Sequence, residues 1–293
     1  MSTFRSGLIA IAGRPNVGKS TLANALAGQH VAAVSSRPQT TRRRMRAVVN
    51  GEDWQGVLID MPGFQKPADG LTRRMQEAVD GAFDDCDAVI FILNAREAIG
   101  GGDRFIAQRV SASKLPIILV VNKIDGAPAE QVAGTIAQAS QLVDFAELHP
   151  VSAVTEDGLD ALRETISRLL PAGPRYFPEG VVSDQTDEEL SAELIREAAL
   201  QRVRDEVPHA IAVQIESVEP ASVGRIIRAS ILVETESQKG IIVGKGGSMI
   251  RAIGEASRTN LARLFGEPVH TDLMVKVRPK WRRDEAMLDR LGL

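Results

Sequence analysis

The segment Gly13-Arg14-Pro15-Asn16-Val17-Gly18-Lys19-Ser20 restricts the fold more than any other in this chain. It follows a short apolar run, Leu8–Ala12, and opens a helical pattern over Thr21–Leu26. Glycine, four variable residues, then Gly-Lys-Ser between a strand and a helix form a loop whose backbone N–H groups converge on a polyphosphate. The helix N-terminus behind the loop adds partial positive charge. Gly13, Arg14, Pro15, Asn16, Val17, Gly18 and Thr21 are therefore candidate nucleotide contacts. Lys19 would set a cation against the β- and γ-phosphates, and Ser20 would offer a hydroxyl to Mg²⁺.

The surrounding pattern predicts an α/β domain. Apolar runs at Leu8–Ala12, Val57–Asp60, Ala88–Leu93, Ile117–Asn122 and Pro150–Ala153 alternate with helical segments, including Leu71–Phe83, Val132–Phe145 and Gly158–Leu170. Near-continuous apolar strands spaced by helices read as a mostly parallel sheet covered on both faces. Pro171-Ala172-Gly173-Pro174 then breaks any helix and reads as a linker. At 293 residues and 44% hydrophobic, the chain is long enough for two cores, and with 4% aromatics those cores must be aliphatic. The longest apolar run, Ala88–Leu93, is far too short to span a bilayer. Met1–Gly7 is a polar start, so no secretory signal is expected. Cys86 is the sole cysteine, which excludes a disulfide framework and reads as a small buried residue in a reducing cytoplasm. The four histidines are dispersed without metal-ligand spacing.

Three further segments fall at intervals that a nucleotide pocket can use. Thr40 and Thr41 lie in a polar stretch after the first helix. Either hydroxyl can complete a metal shell, with Thr41 preferred. Asp60 ends a strand and precedes Met61-Pro62-Gly63-Phe64. Its carboxylate would reach Mg²⁺ through water, and the Gly63 N–H would meet a γ-phosphate when one is present. Lys19, Thr41 and Gly63 are thus the candidate catalytic positions, and Ser20, Thr41 and Asp60 the candidate metal positions. Asn122-Lys123-Ile124-Asp125 ends another strand. An Asp125 carboxylate accepts from guanine N1–H and the exocyclic amine together, a pair adenine lacks, and such a site discriminates by roughly 10⁴-fold. Asn122 would tether neighbouring loops, the Lys123 stem would cover the base, and a backbone N–H at Ser152 or Ala153 would meet guanine O6.

The second half reads helix, strand, strand, helix, helix, strand: Leu190–Glu206, Ala210–Val218, Ile226–Glu234, Ser237–Val243, Ser248–Phe265 and Val269–Arg278. Gly244-Lys245-Gly246-Gly247 sits between its two adjacent helices. Net charge is −3 over the chain, yet Lys239 to Arg283 holds ten Lys/Arg against three acids. A focused basic patch in an acidic protein attracts phosphate backbones. Gly-x-x-Gly at a helix start clamps about four nucleotides of single-stranded RNA. Lys245 at the tip and Arg251 in the following helix add charge. Arg278 and Lys280 would hold backbone, while Trp281 would either stack a base or cap the core. Arg42-Arg43-Arg44 could touch RNA or a partner, with a solvated loop face preferred.

Residues 7 to 170 resemble the translation-factor-related small GTPases, and Thr40-Thr41-Arg42 with Asp60-x-Pro62-Gly63 is similar to the Era and tRNA-modification branches. The second half resembles a KH domain of type II order. Together they resemble the bacterial Era GTPase family over nearly the whole chain. The resemblance implies a P-loop GTPase domain over 1–172, a linker over 173–186, and a KH type II domain over 187–293 with a basic tail. It implies GTP/GDP and Mg²⁺ as ligands. It further implies binding to the 3′ end of small-subunit ribosomal RNA, help in small-subunit assembly, and a monomer in the cytoplasm with peripheral contact at the inner membrane. Phe64 stands where a catalytic glutamine sits in other GTPases, which implies slow intrinsic turnover aided by a partner or a potassium ion. Asn16 matches the position that contributes to potassium binding in relatives. Met61 departs from the expected threonine. The rivals are a P-loop ATPase or kinase, a nucleotide-gated membrane or protein-interaction switch, and a tRNA-modification GTPase.

Overall fold

The computed structural model describes residues 4–35, 40–62, 68–81, 83–203 and 207–293, with the side chains of 78–80 left aside. Their contacts divide the chain into two units. One comprises Met1–Val31, Thr41–Gln65 and Gln76–Asp184; the other comprises Ala32–Thr40, Lys66–Met75 and Gln185–Leu293. No helix among the described residues is long and apolar enough to cross a membrane.

The chain begins β1 (Arg5–Ala12), α1 (Lys19–Ala27), β2 (Met45–Asn50), β3 (Trp54–Asp60), α2 (Gly70–Asp80), β4 (Ala88–Asn94), α3 (Gly101–Ala112), β5 (Ile117–Asn122), α4 (Ala129–Ala139), β6 (Glu147–Val151) and α5 (Leu159–Leu169). Six strands form one sheet in the order β2-β3-β1-β4-β5-β6. Only β2 runs antiparallel to its neighbour; the pairs β1–β3, β1–β4, β4–β5 and β5–β6 are parallel. The central strands are buried on both faces, which is why they read as unbroken apolar runs. On one side Leu22, Ala23 and Leu26 of α1 are buried, as are Leu159, Leu162 and Ile166 of α5 at helical spacing. Strand order reverses at β1, so the chain leaves the C-terminal ends of β1, β3, β4, β5 and β6 around one crevice, where open α/β sheets bind ligands.

The local departures from the sequence reading have physical causes. Strand β2 falls outside the expected apolar runs because its exposed Arg46 and Asn50 interrupt the apolar signal at a sheet edge. Helix α3 opens on two glycines, which hide it in the sequence pattern; Asp103 secures its start by accepting from the Gly100 N–H at 2.9 Å. Strand β6 lies over Glu147–Val151 rather than 150–153 and tolerates Pro150 because it is an edge strand. Ser152 and Ala153 consequently fall in the loop beyond it. Cys86 is buried without a disulfide, and burial pushes its thiol up to about 11.

The second unit contains α6 (Asp187–Leu200), a four-residue α7 (Val207–Ala210), β7 (Ala212–Pro220), β8 (Arg225–Val233), α8 (Glu236–Val243), α9 (Ser248–Phe265), β9 (Val269–Val277) and α10 (Glu285–Arg290). The Thr186 hydroxyl accepts from the Glu189 N–H at 3.2 Å, and the Glu189 carboxylate accepts from the Thr186 N–H at 2.8 Å, a reciprocal cap that starts α6. The sheet order is β7-β8-β9, with β7–β8 antiparallel and β8–β9 parallel. Leu194, Ile195, Ile231, Ile253 and Leu261 lie in the core between this sheet and α6 and α9. A smaller cluster joins Leu71 and Met75 to Ala212, Leu232, Trp281 and Leu288. Beside it Arg74 pairs with Glu285 at 2.6 Å and with Asp289 at 2.7 Å.

Candidate functional site

The loop after β1 needs glycine at position 18. Gly18 has φ 102°, and a Cβ there would come within 2.3 Å of Asn122 Nδ2. Asn122 is buried and ties three elements together. Its amide donates to Val17 O at 2.9 Å, and its carbonyl oxygen accepts from the Ala153 N–H at 3.1 Å. Lys123 Nζ donates to Asn16 O at 2.5 Å, so the base side and the phosphate side of the crevice hold each other. Asn16 and Lys123 both have positive φ, at 65° and 68°, a strain that accumulates where loops are shaped for ligands. Pro15 and Asn16 are exposed at the loop tip, while Val17 is buried beneath it.

Lys19 is buried and donates to the carbonyls of Gly13 and Arg14, each at 3.1 Å. Burial lowers its pKa, with the Asp60 carboxylate opposing the shift. Asp60 is fully buried at the end of β3, and desolvation raises its pKa against the pull of Lys19, Ser20 and Thr41. Ser20 Oγ donates to Asp60 Oδ2 at 2.6 Å and lies 3.0 Å from Thr41 Oγ1, which is itself 3.4 Å from Asp60 Oδ2. The structure thus gathers two hydroxyl oxygens beside a carboxylate whose Oδ1 has no hydrogen-bond partner among the described residues. That set fits Mg²⁺, which takes oxygen ligands and offsets a buried negative charge. The neighbouring Thr40 instead presents its carbonyl to the guanidinium of Arg196, a buried residue of α6.

Two candidate contacts turn their side chains to other partners. The Arg14 guanidinium donates to Asp103 at 2.8 Å and Glu97 at 3.0 Å, so its charge is spent on α3 and the loop before it. The Met61 side chain is part of the sheet core, packed with Ala10, Ile59 and Phe91, because the residue after Asp60 alternates to the opposite face. Pro62 is buried next to it. Gly63 and Phe64 lie outside the described residues.

On the base side, a cavity of about 230 Å³ is lined by Gly18, Thr21, Asn122, Lys123, Asp125 and Ala153, together with Arg96 and Val154. Asp125 Oδ1 accepts from Ser152 Oγ at 2.8 Å and Oδ2 from Arg96 at 2.6 Å. The Ser152 hydrogen bond holds this carboxyl below the usual range, and Arg96 assists. Burial lowers the pKa of Lys123. The Ser152 N–H donates to Asp157 O at 3.0 Å and the Ala153 N–H to Asn122, so a guanine O6 contact here must share a donor already engaged. Arg96, Glu97 and Asp103 escaped the sequence reading. The signal that could have found Arg96 is its place two residues beyond the C-terminal end of β4, on the rim where the other site residues lie.

In the second unit, Gly244–Gly247 joins α8 to α9. Gly244 has φ 70°, and a Cβ would meet the Met249 N at 2.8 Å, so no side chain fits the turn. Lys245 and Gly246 are exposed, and Arg251 donates to Gly246 O at 2.7 Å, bracing the loop from below. Gly247 precedes the 18-residue α9; the Gly247 N–H donates to Gly244 O at 3.1 Å and the Ser248 N–H donates to Lys245 O, so these amides close the turn. Arg278 and Lys280 are exposed after β9. Trp281 is not available to a base: it is 1% exposed and its indole N–H donates to Ala210 O at 2.9 Å. Its place in the core is a correction to the stacking alternative, since leaving it would strand a buried acceptor and open a cavity. Trp281→Ala should lower stability by about 3–5 kcal/mol in denaturant titration. Trp281→Phe should leave RNA affinity unchanged at a temperature where the variant is folded.

Residues 8–123 match the family described as 50S ribosome-binding GTPase, and residues 206–282 match the KH domain family. The chain is 44% identical to GTPase Era of Mycobacterium tuberculosis (strain H37Rv) over 100% of both sequences. It is 45% identical to GTPase Era of Mycobacterium avium (strain 104), again over 100% of both. Its structure is similar to a variant of Aquifex aeolicus Era bound to GDP.AlF4-, with TM-score 0.92, 36% identity and 99% of each chain covered. An Era structure in complex with MgGDPNP and nucleotides 1506–1542 of 16S ribosomal RNA matches equally, at TM-score 0.92 and 36% identity over 99% of each chain. With that likeness running from end to end, and a P-loop nucleotide fold followed in order by a KH fold, the chain belongs to the GTPase Era family.

Proposed function

We propose that this protein binds GTP with Mg²⁺, hydrolyses it slowly, and holds the 3′ end of small-subunit ribosomal RNA in its KH unit while the small ribosomal subunit is assembled. The observation that supports this most is the likeness over 99% of both chains to the Era complex that contains MgGDPNP and nucleotides 1506–1542 of 16S ribosomal RNA. In this reading the nucleotide domain covers 1–172, a linker 173–186, and the RNA domain 187–293. The protein is a cytoplasmic monomer with peripheral contact at the inner membrane.

Each residue takes a part that its own chemistry supports. Gly13–Gly18 amides and Lys19 surround the β- and γ-phosphates and stabilise charge that builds on the transferring phosphoryl group. Ser20 and Thr41 would hold Mg²⁺ directly and Asp60 through water; the ion, when bound, neutralises phosphate charge. Gly63 would sense the γ-phosphate. Water attacks the γ-phosphorus as the bond to the β–γ bridging oxygen breaks and GDP departs with the electron pair. Phe64 carries no group to orient that water, which accounts for slow turnover and leaves room for a partner or for potassium near Asn16. Asp125 selects guanine, and the Arg14 side chain shapes the loop through Asp103. On the RNA side, the Gly244–Gly247 amides, Lys245 and Arg251 contact backbone, with Arg278 and Lys280 extending the track.

Fluorescence anisotropy with an RNA of the small-subunit 3′ end tests the RNA assignment. Lys245→Asp should weaken binding by about tenfold or more. It should also make the dependence of log K on log salt shallower by about one unit. Guanine-nucleotide affinity should stay as in the wild type. Unchanged RNA affinity and slope would favour the protein-interaction switch instead. GTP and ATP competing equally for the cavity would favour the ATPase.

A further inference from the structure

Arg96 has no role in the reading above, yet two hydrogen bonds tie its side chain, 43% exposed, to the rim of the base cavity. Its Nη2 donates to Asp125 Oδ2 at 2.6 Å and its Nε to the Lys123 carbonyl at 3.3 Å. The guanidinium lies flat against Gly126: a Cβ on that residue would come within 2.1 Å of Arg96 Nη2 and 2.3 Å of Cζ. Gly126 thus leaves room for this guanidinium, which a side chain there would have to displace. The backbone that presents it is fixed as well. The Arg96 N–H donates to Asn94 Oδ1 at 3.0 Å, and Asn94 Nδ2 donates to Glu97 Oε1 at 2.5 Å. Glu97 Oε2 accepts from Arg14 at 3.0 Å, and Arg14 is anchored on the buried Asp103 at 2.8 Å. A continuous polar chain thus runs from the phosphate loop to the base-facing carboxylate.

A carboxylate has about four acceptor sites, two on each oxygen. Ser152 takes one on Oδ1 and Arg96 takes one on Oδ2. Each oxygen keeps an acceptor site open, and the two donors fix the plane in which those sites lie. A pair of parallel N–H donors on the edge of a purine needs that arrangement. Asp125 sits in a short exposed turn, with 23% of its side chain accessible, and among the described residues Arg96 is the side chain that binds Oδ2. We propose that Arg96 is a positioning residue for base recognition, holding Asp125 so that both its oxygens meet the N1–H and 2-amino donors of guanine together. The inference rests on the assignment of this cavity to guanine.

Inosine nucleotides separate positioning from general support, because hypoxanthine retains N1–H and lacks the 2-amino group. Affinities of GDP, IDP and ADP are measured for the wild type, Arg96→Ala and Arg96→Lys by displacement of a fluorescent guanine nucleotide. A rotating Asp125 still serves one donor but loses the two-point fit. Arg96→Ala should therefore weaken GDP by about tenfold and IDP by about twofold or less, narrowing the GDP:IDP ratio. Arg96→Lys keeps the charge and loses the two-point grip on Lys123 O and Asp125, so its ratio should fall between. It also gives the ratio should the alanine variant not fold. Both variants keeping the wild-type ratio, with or without a common drop in affinity, would overturn the proposal while leaving the guanine site standing. A wild type that takes ADP as readily as GDP would remove the guanine site and this inference together.

Discussion

Asp125→Asn should reverse the base preference of the cavity from guanine to xanthine. The substitution turns one acceptor oxygen into an NH₂ group, which faces the 2-amino group of guanine donor to donor. Xanthine has an oxygen at that position and accepts instead. A site built on such contacts rejects the mismatched base by about 10³-fold or more, so GDP should lose that much affinity and XDP should gain most of it back. The protein adds a smaller penalty. Ser152 and Arg96 both donate to the present carboxylate, one to each oxygen. An asparagine amide satisfies only one of them, so the xanthine form should bind less tightly than the wild type binds GDP. Competition between XDP and a fluorescent GDP analogue measures this. A variant that keeps GDP affinity within a few-fold would remove Asp125 from base recognition.

Lys19→Ala should abolish productive GTP binding. The ammonium is buried, and two of its three N–H donors go to Gly13 O and Arg14 O at 3.1 Å. The geometry holds the charge on the loop axis with one donor left for a ligand. Truncating one partner of a desolvated charge pair weakens binding by about 10²- to 10³-fold. GTP hydrolysis should fall further, because the transferring phosphoryl group gains charge that no other described cation meets at that point. The apo protein should register the loss too. Asp60 is buried with a raised pKa that Lys19 partly offsets. Without Lys19 its folded pKa rises further above the unfolded value, so ionising it favours unfolding. The Mg²⁺-free variant should therefore lose thermal stability relative to wild type as pH climbs from the ordinary carboxylate range towards neutral. A melting temperature that falls no more steeply with pH than the wild type's would mean that the two charges are not coupled.

What the chain discloses without coordinates depends on how each residue is used. Strands β1, β4 and β5 are buried on both faces and write themselves as apolar runs; β2 lies at an edge and shows only Ala47, Val48 and Val49 between polar neighbours. The phosphate loop is legible because glycine and lysine there answer to backbone geometry and burial within a few residues of sequence. Where Thr40 and Thr41 sit shows only in three dimensions: the Thr41 hydroxyl lies 3.0 Å from Ser20, and the Thr40 carbonyl faces Arg196. Trp281 stands in a cationic segment that looks like an RNA contact, and only its indole bond to Ala210, far away in sequence, shows it to be core. Arg96 belongs to no local pattern, since its partner Asp125 is 29 residues further along another strand's end.

Leu71 and Met75, from the middle of the first half of the chain, plug a hollow among Ala212, Leu232, Trp281 and Leu288, and Arg74 neutralises two acids of the last helix. A fragment severed at Pro171–Pro174 would leave those plugs behind, baring an oily surface and stranded carboxylates. The RNA-facing half is therefore no cassette to be shuffled between genes at a proline-rich seam. It can be inherited intact only with the stretch of its host that seals it.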